Sequence, residues 1–142
     1  MTVRHILDQK GRNVVTVNPT MVTEEAVRFL ADNKIGAVVV TGAGGKIAGI
    51  LSERDIVRAV AKKGAAALTA PISDIMTSKV TTCGQSHSVN QVMELMTNGR
   101  FRHLPVEEDG KLIGIISIGD VVRRRIEDVE REAAEIKAYI AS

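Results

Sequence analysis

The chain has 142 residues, 44% hydrophobic and 25% charged, which is one domain's worth of sequence with enough apolar material for a sizeable core. Nineteen basic residues against 17 acidic ones leave a net charge of +2, too balanced for a phosphate-backbone footprint, and an aromatic content of 2% removes the stacking platforms of single-stranded nucleic-acid binders. No nucleic-acid partner is expected. The lone Cys83 excludes an internal disulfide, no secretory leader is recognisable and no apolar run approaches 18 residues. These features predict a cytoplasmic, reducing location without direct membrane insertion.

Taken in order, the chain opens with a short helical entry over residues 2–7 and a β-branched strand over 14–17. A helix over 23–33 follows, with Ala26, Val27, Leu30 and Ala31 on one face and Glu24 and Glu25 in its first turn. Next come an apolar strand from Ile35 to Val40, a glycine turn at Gly44-Gly45, a strand ending at Ser52, and a helix from Asp55. Residues 62–70, rich in alanine and glycine, read as a connector. The same order then returns: a short amphipathic turn over 71–76, a strand over 80–83, a helix over 89–98, a strand around 101–106, a turn at Asp109-Gly110, a strand and a helix. The copies align at a separation of 66 residues before the turns and 65 after them, a shift that a one-residue difference in hairpin length explains.

Strand, helix, strand, hairpin and helix in each half predict an α/β fold of two pseudo-symmetric repeats. Each would carry a small three-stranded mixed sheet with helices on one face. The predicted division is residues 1–68, 69–126, and a C-terminal extension over 127–142. In the last helix Val122, Ile126, Val129, Ala133, Ile136 and Ile140 recur at intervals of 4, 3, 4, 3 and 4, a heptad seam that suggests a partner beyond the globule.

The phrase that both halves share is Gly49-Ile50-Leu51-Ser52-Glu53-Arg54-Asp55 and Gly114-Ile115-Ile116-Ser117-Ile118-Gly119-Asp120. A serine at a strand end and an aspartate three residues on form a helix-capping box. They equally supply a short hydroxyl and a carboxylate suited to the vicinal hydroxyls of a ribose. Both readings stand at this level, because capping and ligand contact can use different lone pairs. Beside the second copy stand Arg100, Arg102 and His103, where the first copy has Lys34, Gly36 and Ala37. Such charges either protect a sheet edge or collect phosphates. Arg54, Arg58, Arg123 and Arg124 are secondary candidates for the second role, or else a solvated helix face. Catalysis finds no support: His5, His87 and His103 lack metal-ligand spacing, and Cys83 has no paired base in sequence. No metal site and no enzyme activity are expected.

These paired phrases, together with Arg100 to Val106, Asp74-Ile75-Met76-Thr77 and the element order, resemble a tandem pair of CBS domains, the Bateman module. The closest likeness is to small bacterial proteins without an attached catalytic domain. The resemblance implies a regulatory module that binds an adenosyl ligand in the cleft between the repeats: AMP first, with ADP, ATP, NAD(H) or S-adenosylmethionine as alternatives. It assigns the ribose to Asp55 and Asp120, with Ser52 and Ser117 beside the phosphate. Adenine would lie at the backbone of Val14 and Val80, with Ile35 and Phe101 as walls, and Gly36 and Ala37 would leave space in the first cleft. It also implies a homodimer. The alternative is a ligand-free dimerisation adaptor that recruits an enzyme or transporter through its C-terminal helix.

Overall fold

The computed structural model describes residues 1–142. The elements are α1 (Val3–Lys10), β1 (Thr16–Val17), α2 (Thr23–Asn33), β2 (Ala37–Thr41), β3 (Ile47–Ser52), α3 (Glu53–Lys63), α4 (Val89–Gly99), β4 (His103–Glu108), β5 (Lys111–Ser117) and α5 (Ile118–Ala141). The predicted α/β repeat is present, and no helix is long and apolar enough to cross a membrane.

The chain divides into two compact units, Val14–Thr81 and Met1–Asn13 with Thr82–Ser142. Sequence repeats and compact units therefore differ by an exchange of leading segments. In the first unit, Ile72 from the start of the second repeat is buried with Val17, Ala26, Leu30, Val38, Val40 and Leu51. In the second, Val3, Ile6 and Leu7 from the chain's beginning join Cys83, Val92, Met96, Leu104, Ile116 and Val121. Residues 62–70 join the two repeats and lie wholly within the Val14–Thr81 unit, where the end of α3 is followed by a 3-10 turn, Gly64–Thr69, that buries Ala67.

Each exchanged segment lies against a glycine of the hairpin it covers. A Cβ on Gly49 would stand 2.7 Å from the Thr77 carbonyl, whose oxygen and amide both bond Ile50 at 2.9 Å. A Cβ on Gly114 would stand 2.7 Å from Leu7 Cδ2. These glycines leave room for the exchange, which buries apolar faces that their own repeats do not cover.

In the Val14–Thr81 unit β1 pairs parallel with β2, and β2 antiparallel with β3, the expected mixed sheet. β1 is shorter than predicted, leaving Val14 and Val15 outside it. In the other unit only β4 and β5 form a sheet, and the strand predicted over 80–83 shrinks to one parallel bridge, Cys83 to Val106. There the Cys83 amide donates to the Pro105 carbonyl at 3.0 Å and Glu107 donates to Cys83 at 2.8 Å. Pro105 has no N–H with which to carry the ladder further upstream, whereas the equivalent residue of the first repeat is Val39.

Candidate functional site

Each unit carries one corner where a strand turns into a helix, built by the repeated phrase. β3 ends at Ser52 and β5 at Ser117, and each serine is the N-cap of the following helix. The Ser52 amide donates to Asp55 Oδ2 at 2.9 Å, and the Asp55 amide donates back to Ser52 Oγ at 3.4 Å. The Ser117 amide donates to Asp120 Oδ2 at 2.8 Å, and the Asp120 amide to Ser117 Oγ at 3.2 Å. The capping reading thus holds in both copies, and it engages one carboxylate oxygen of each aspartate.

The hairpins bring further predicted residues to these corners. Ala37 faces Ser52 across the β2–β3 pair, and the Glu53 amide donates to the Gly36 carbonyl at 3.0 Å. In the other unit His103 faces Ser117, and the Ile118 amide donates to the Arg102 carbonyl at 2.8 Å. Arg100 sits one step away as the C-cap of α4, in the left-handed region at φ 55°, and Lys34 caps α2 with the same φ. Val14 is half-buried just before β1, on the side of β2 that carries Ala37, because Thr16 pairs with Val39 in parallel. Val80 is half-buried outside any strand, near the end of the unit that holds Asp55. The structure therefore groups Ser52, Asp55, Gly36 and Ala37 at one corner and Ser117, Asp120, Arg102 and His103 at the other.

Two partners of the aspartates were not legible in the sequence. At the first corner, Thr77 Oγ1 donates to Asp55 Oδ1 at 3.0 Å and Ser52 Oγ donates to Oδ2 at 3.1 Å, so the buried carboxylate is engaged through both oxygens. At the second, Lys10 donates to Asp120 Oδ2 at 2.6 Å and to the Ile115 carbonyl at 2.8 Å. Asp120 Oδ1 faces Arg123 at 3.7 Å, beyond hydrogen-bonding distance, which leaves it acceptor capacity. Lys10 and Thr77 both arrive on the exchanged segments, 110 and 22 residues from their partners, so no local spacing announces them.

Burial works to raise the Asp120 carboxyl's pKa, but the Lys10 ammonium and the Ser117 donors outweigh it and hold the group below its ordinary value. The carboxylate opens on a recess of about 350 Å³ lined by Ile6, Gln9, Lys10, Asp120, Arg123, Arg124 and Glu127. Of the secondary candidates there, Arg124 is buried and committed to its own helix, with Nε 3.2 Å from Asp128 Oδ1 and Nη1 3.7 Å from Glu127 Oε2. The first contact is an ion pair bent too far for a hydrogen bond. Arg123 is exposed and close to Asp120. Burial pushes the Cys83 thiol up to about 12, the state of an inert core residue.

The CBS domain family model matches residues 3–62 and again 72–127. A crystal structure of a CBS-domain-containing protein from Agrobacterium tumefaciens is 55% identical and superposes with a TM-score of 0.86, covering 87% of this chain and 92% of that one. The CBS domain pair of protein MJ0100, solved in complex with 5′-methylthioadenosine and S-adenosyl-L-methionine, is 25% identical with a TM-score of 0.80, over 90% of this chain and 98% of that one. The mitochondrial CBS domain-containing protein CBSX3 of Arabidopsis thaliana is 34% identical over 98% of this chain and 71% of its own length. The chain spans less of other curated relatives, 66% of a protein from Acidianus ambivalens and 58% of one from Methanopyrus kandleri. By the two family matches and the fold they share, the chain belongs to the CBS domain family and carries two CBS repeats in tandem.

Proposed function

We propose that the chain is a regulatory module that binds an adenine nucleotide at its strand-to-helix corners, Asp120 first and Asp55 second, and that it catalyses no reaction. The observation that carries this reading is the Asp120 carboxylate. It is held ionised below its ordinary pKa, keeps acceptor capacity on Oδ1, and shares its recess with Lys10 and Arg123. A carboxylate suits the two donors of a ribose, and neighbouring cations suit a phosphate. The adenosyl compounds bound to the MJ0100 pair support the ligand class. Arg102 and His103, across the hairpin from Ser117, favour a phosphorylated ligand, with AMP ahead of ADP, ATP, NAD(H) and S-adenosylmethionine. Ser52, Gly36, Ala37, Val14 and Val80 serve the second site, and Arg100 the phosphate side of the first. The module works as a homodimer in a reducing, cytoplasmic setting.

Such a ligand changes what a downstream partner meets only as far as it binds one conformation more tightly than another. A thermal-shift panel over AMP, ADP, ATP, NAD, NADH, 5′-methylthioadenosine and S-adenosylmethionine tests the reading. A true ligand at about 100 times its dissociation constant adds roughly 2.7 kcal/mol of stability. Asp120→Asn keeps an oxygen for the cap and removes the charge, so the expected result is a smaller shift with near-parental stability. No shift with any compound at millimolar concentration rejects the function. An unchanged shift in Asp120→Asn returns Asp120 to capping alone.

A further inference from the structure

α5 is 24 residues long, roughly 36 Å of helix, and its own unit covers only the face that carries Val121, Arg124 and Asp128. Turned away from that face, Val122, Ile126, Val129, Ile136 and Ile140 are 43–76% exposed, and Ala133 lies among them, also exposed. This is a narrow two-position seam, the shape that one further helix covers.

The residues flanking the seam decide what that helix is. With Ile126, Ala133 and Ile140 as a positions and Val122, Val129 and Ile136 as d positions, Arg125 and Glu132 are g, and Arg123, Glu130 and Lys137 are e. In a parallel, in-register pair each g side chain meets the e side chain five residues on in the partner. Arg125 then meets a glutamate, Glu130, and Glu132 meets a lysine, Lys137, each pair occurring twice by symmetry. An antiparallel pair can also align the apolar layers, Val122 on Ile140, Ile126 on Ile136 and Val129 on Ala133. That arrangement sets Arg123 against Lys137 and makes Glu130 and Glu132 each face its own copy, so every pair between charged flanks is repulsive. The ion pairs that α5 makes within the chain use Asp120, Arg123, Arg124, Glu127 and Asp128, and leave Arg125, Glu130, Glu132 and Lys137 to this role.

We propose that α5 is a parallel, in-register pairing helix whose occupant is α5 of a second copy of this chain, with Arg125–Glu130 and Glu132–Lys137 ion pairs setting its direction. The proposal rests on the homodimer reading above and adds an orientation to it: the two copies meet head to head, with both C-termini at one end.

The test uses the full chain with Ile136→Cys, at an exposed position of the seam, and Ala138→Cys on the opposite face as a collision control. The buried Cys83 does not compete. In a parallel pair the two introduced thiols lie at one d layer, within disulfide reach. In the antiparallel pair they lie about 15 Å apart along the axis, out of reach. Expected are a dimer by light scattering, rapid disulfide formation on mild oxidation with Ile136→Cys, and little with Ala138→Cys. Arg125→Glu is expected to raise the dimer dissociation constant about ten-fold, and the double variant Arg125→Glu, Glu130→Arg to restore it. A dimer that gives no Ile136→Cys disulfide overturns the proposal and leaves the homodimer reading standing. A monomer at all concentrations overturns both. A disulfide without rescue by the double variant overturns the assignment of the ion pairs as what sets direction.

Discussion

The two strand-to-helix corners share a backbone and differ in what reaches them. At Asp55 the exchanged segment brings a neutral hydroxyl, Thr77, which fills the second carboxylate oxygen and leaves the group buried. At Asp120 it brings an ammonium, Lys10, which binds the oxygen already used by the cap and leaves Oδ1 facing the longer contact with Arg123. One motif thus yields a corner closed on itself and a corner with charge and capacity to spare. A capping box does not oppose a binding role; the partner that fills the second oxygen decides how much of the carboxylate is left for a ligand.

The sharpest way to break the comparison is at the glycines beneath the exchanged segments. Gly49→Ala drives a methyl into the Thr77 backbone carbonyl, which cannot turn aside, and is expected to cost about 3 kcal/mol in urea unfolding. Gly114→Ala meets the end of the Leu7 side chain and should cost about 1 kcal/mol. Equal losses would show that side-chain adjustment does not distinguish the two crossings.

A smaller effect follows at the carboxylates. Asp55→Ala removes the shared acceptor of the half-buried Ser52 amide and hydroxyl and of the Thr77 hydroxyl, and empties the buried carboxylate position, for an expected loss of about 2 kcal/mol. Asp120→Ala should cost about 1 kcal/mol, since Lys10 can swing into solvent. The reverse order, read from denaturant midpoints, would mean that the Lys10 contact and not the cap dominates.

The Lys10 contact also has a pH signature. A carboxyl whose folded-state pKa is depressed contributes stability above its unfolded value of about 3.9 and loses it as pH falls through the lower folded value. Lys10→Met removes one cause of the depression. The stability gap between parent and variant should be full near neutral pH and close as pH drops below about 4. A gap that persists in acid would assign the loss to packing of the lysine stem. Smallest of all is Cys83→Val, which gives the second unit the residue that the first carries at Val17. Both positions are buried, and the change should cost under about 1 kcal/mol.

Much of this was legible in the residues. α2 matched the predicted range 23–33 because its apolar face, its acidic first turn and its Lys34 stop agree with one another. The seam of α5 was visible as spacing, and the caps as Ser-x-x-Asp. Less visible was the short third strand of the second unit, since the β-branched run over 80–83 carries strand propensity while its limit lies in Pro105, more than twenty residues later. The alanine-rich stretch read as a connector because small residues lack periodicity, and nothing in that pattern announced the 3-10 turn that buries Ala67.

By itself the sequence determined the duplicated α/β unit, the hairpins and the capping boxes, since all of these depend on neighbours within a few residues and on patterns of period 2 and 3.6. Only the tertiary structure decided which leading segment covers which hairpin, and with it whether an aspartate meets Thr77 or Lys10. That choice depends on burying Leu7 against Gly114 and Ile72 among Val38, Val40 and Leu51. These contacts join residues far apart in the chain, where apolar burial and close packing select the partner and local propensity has no say.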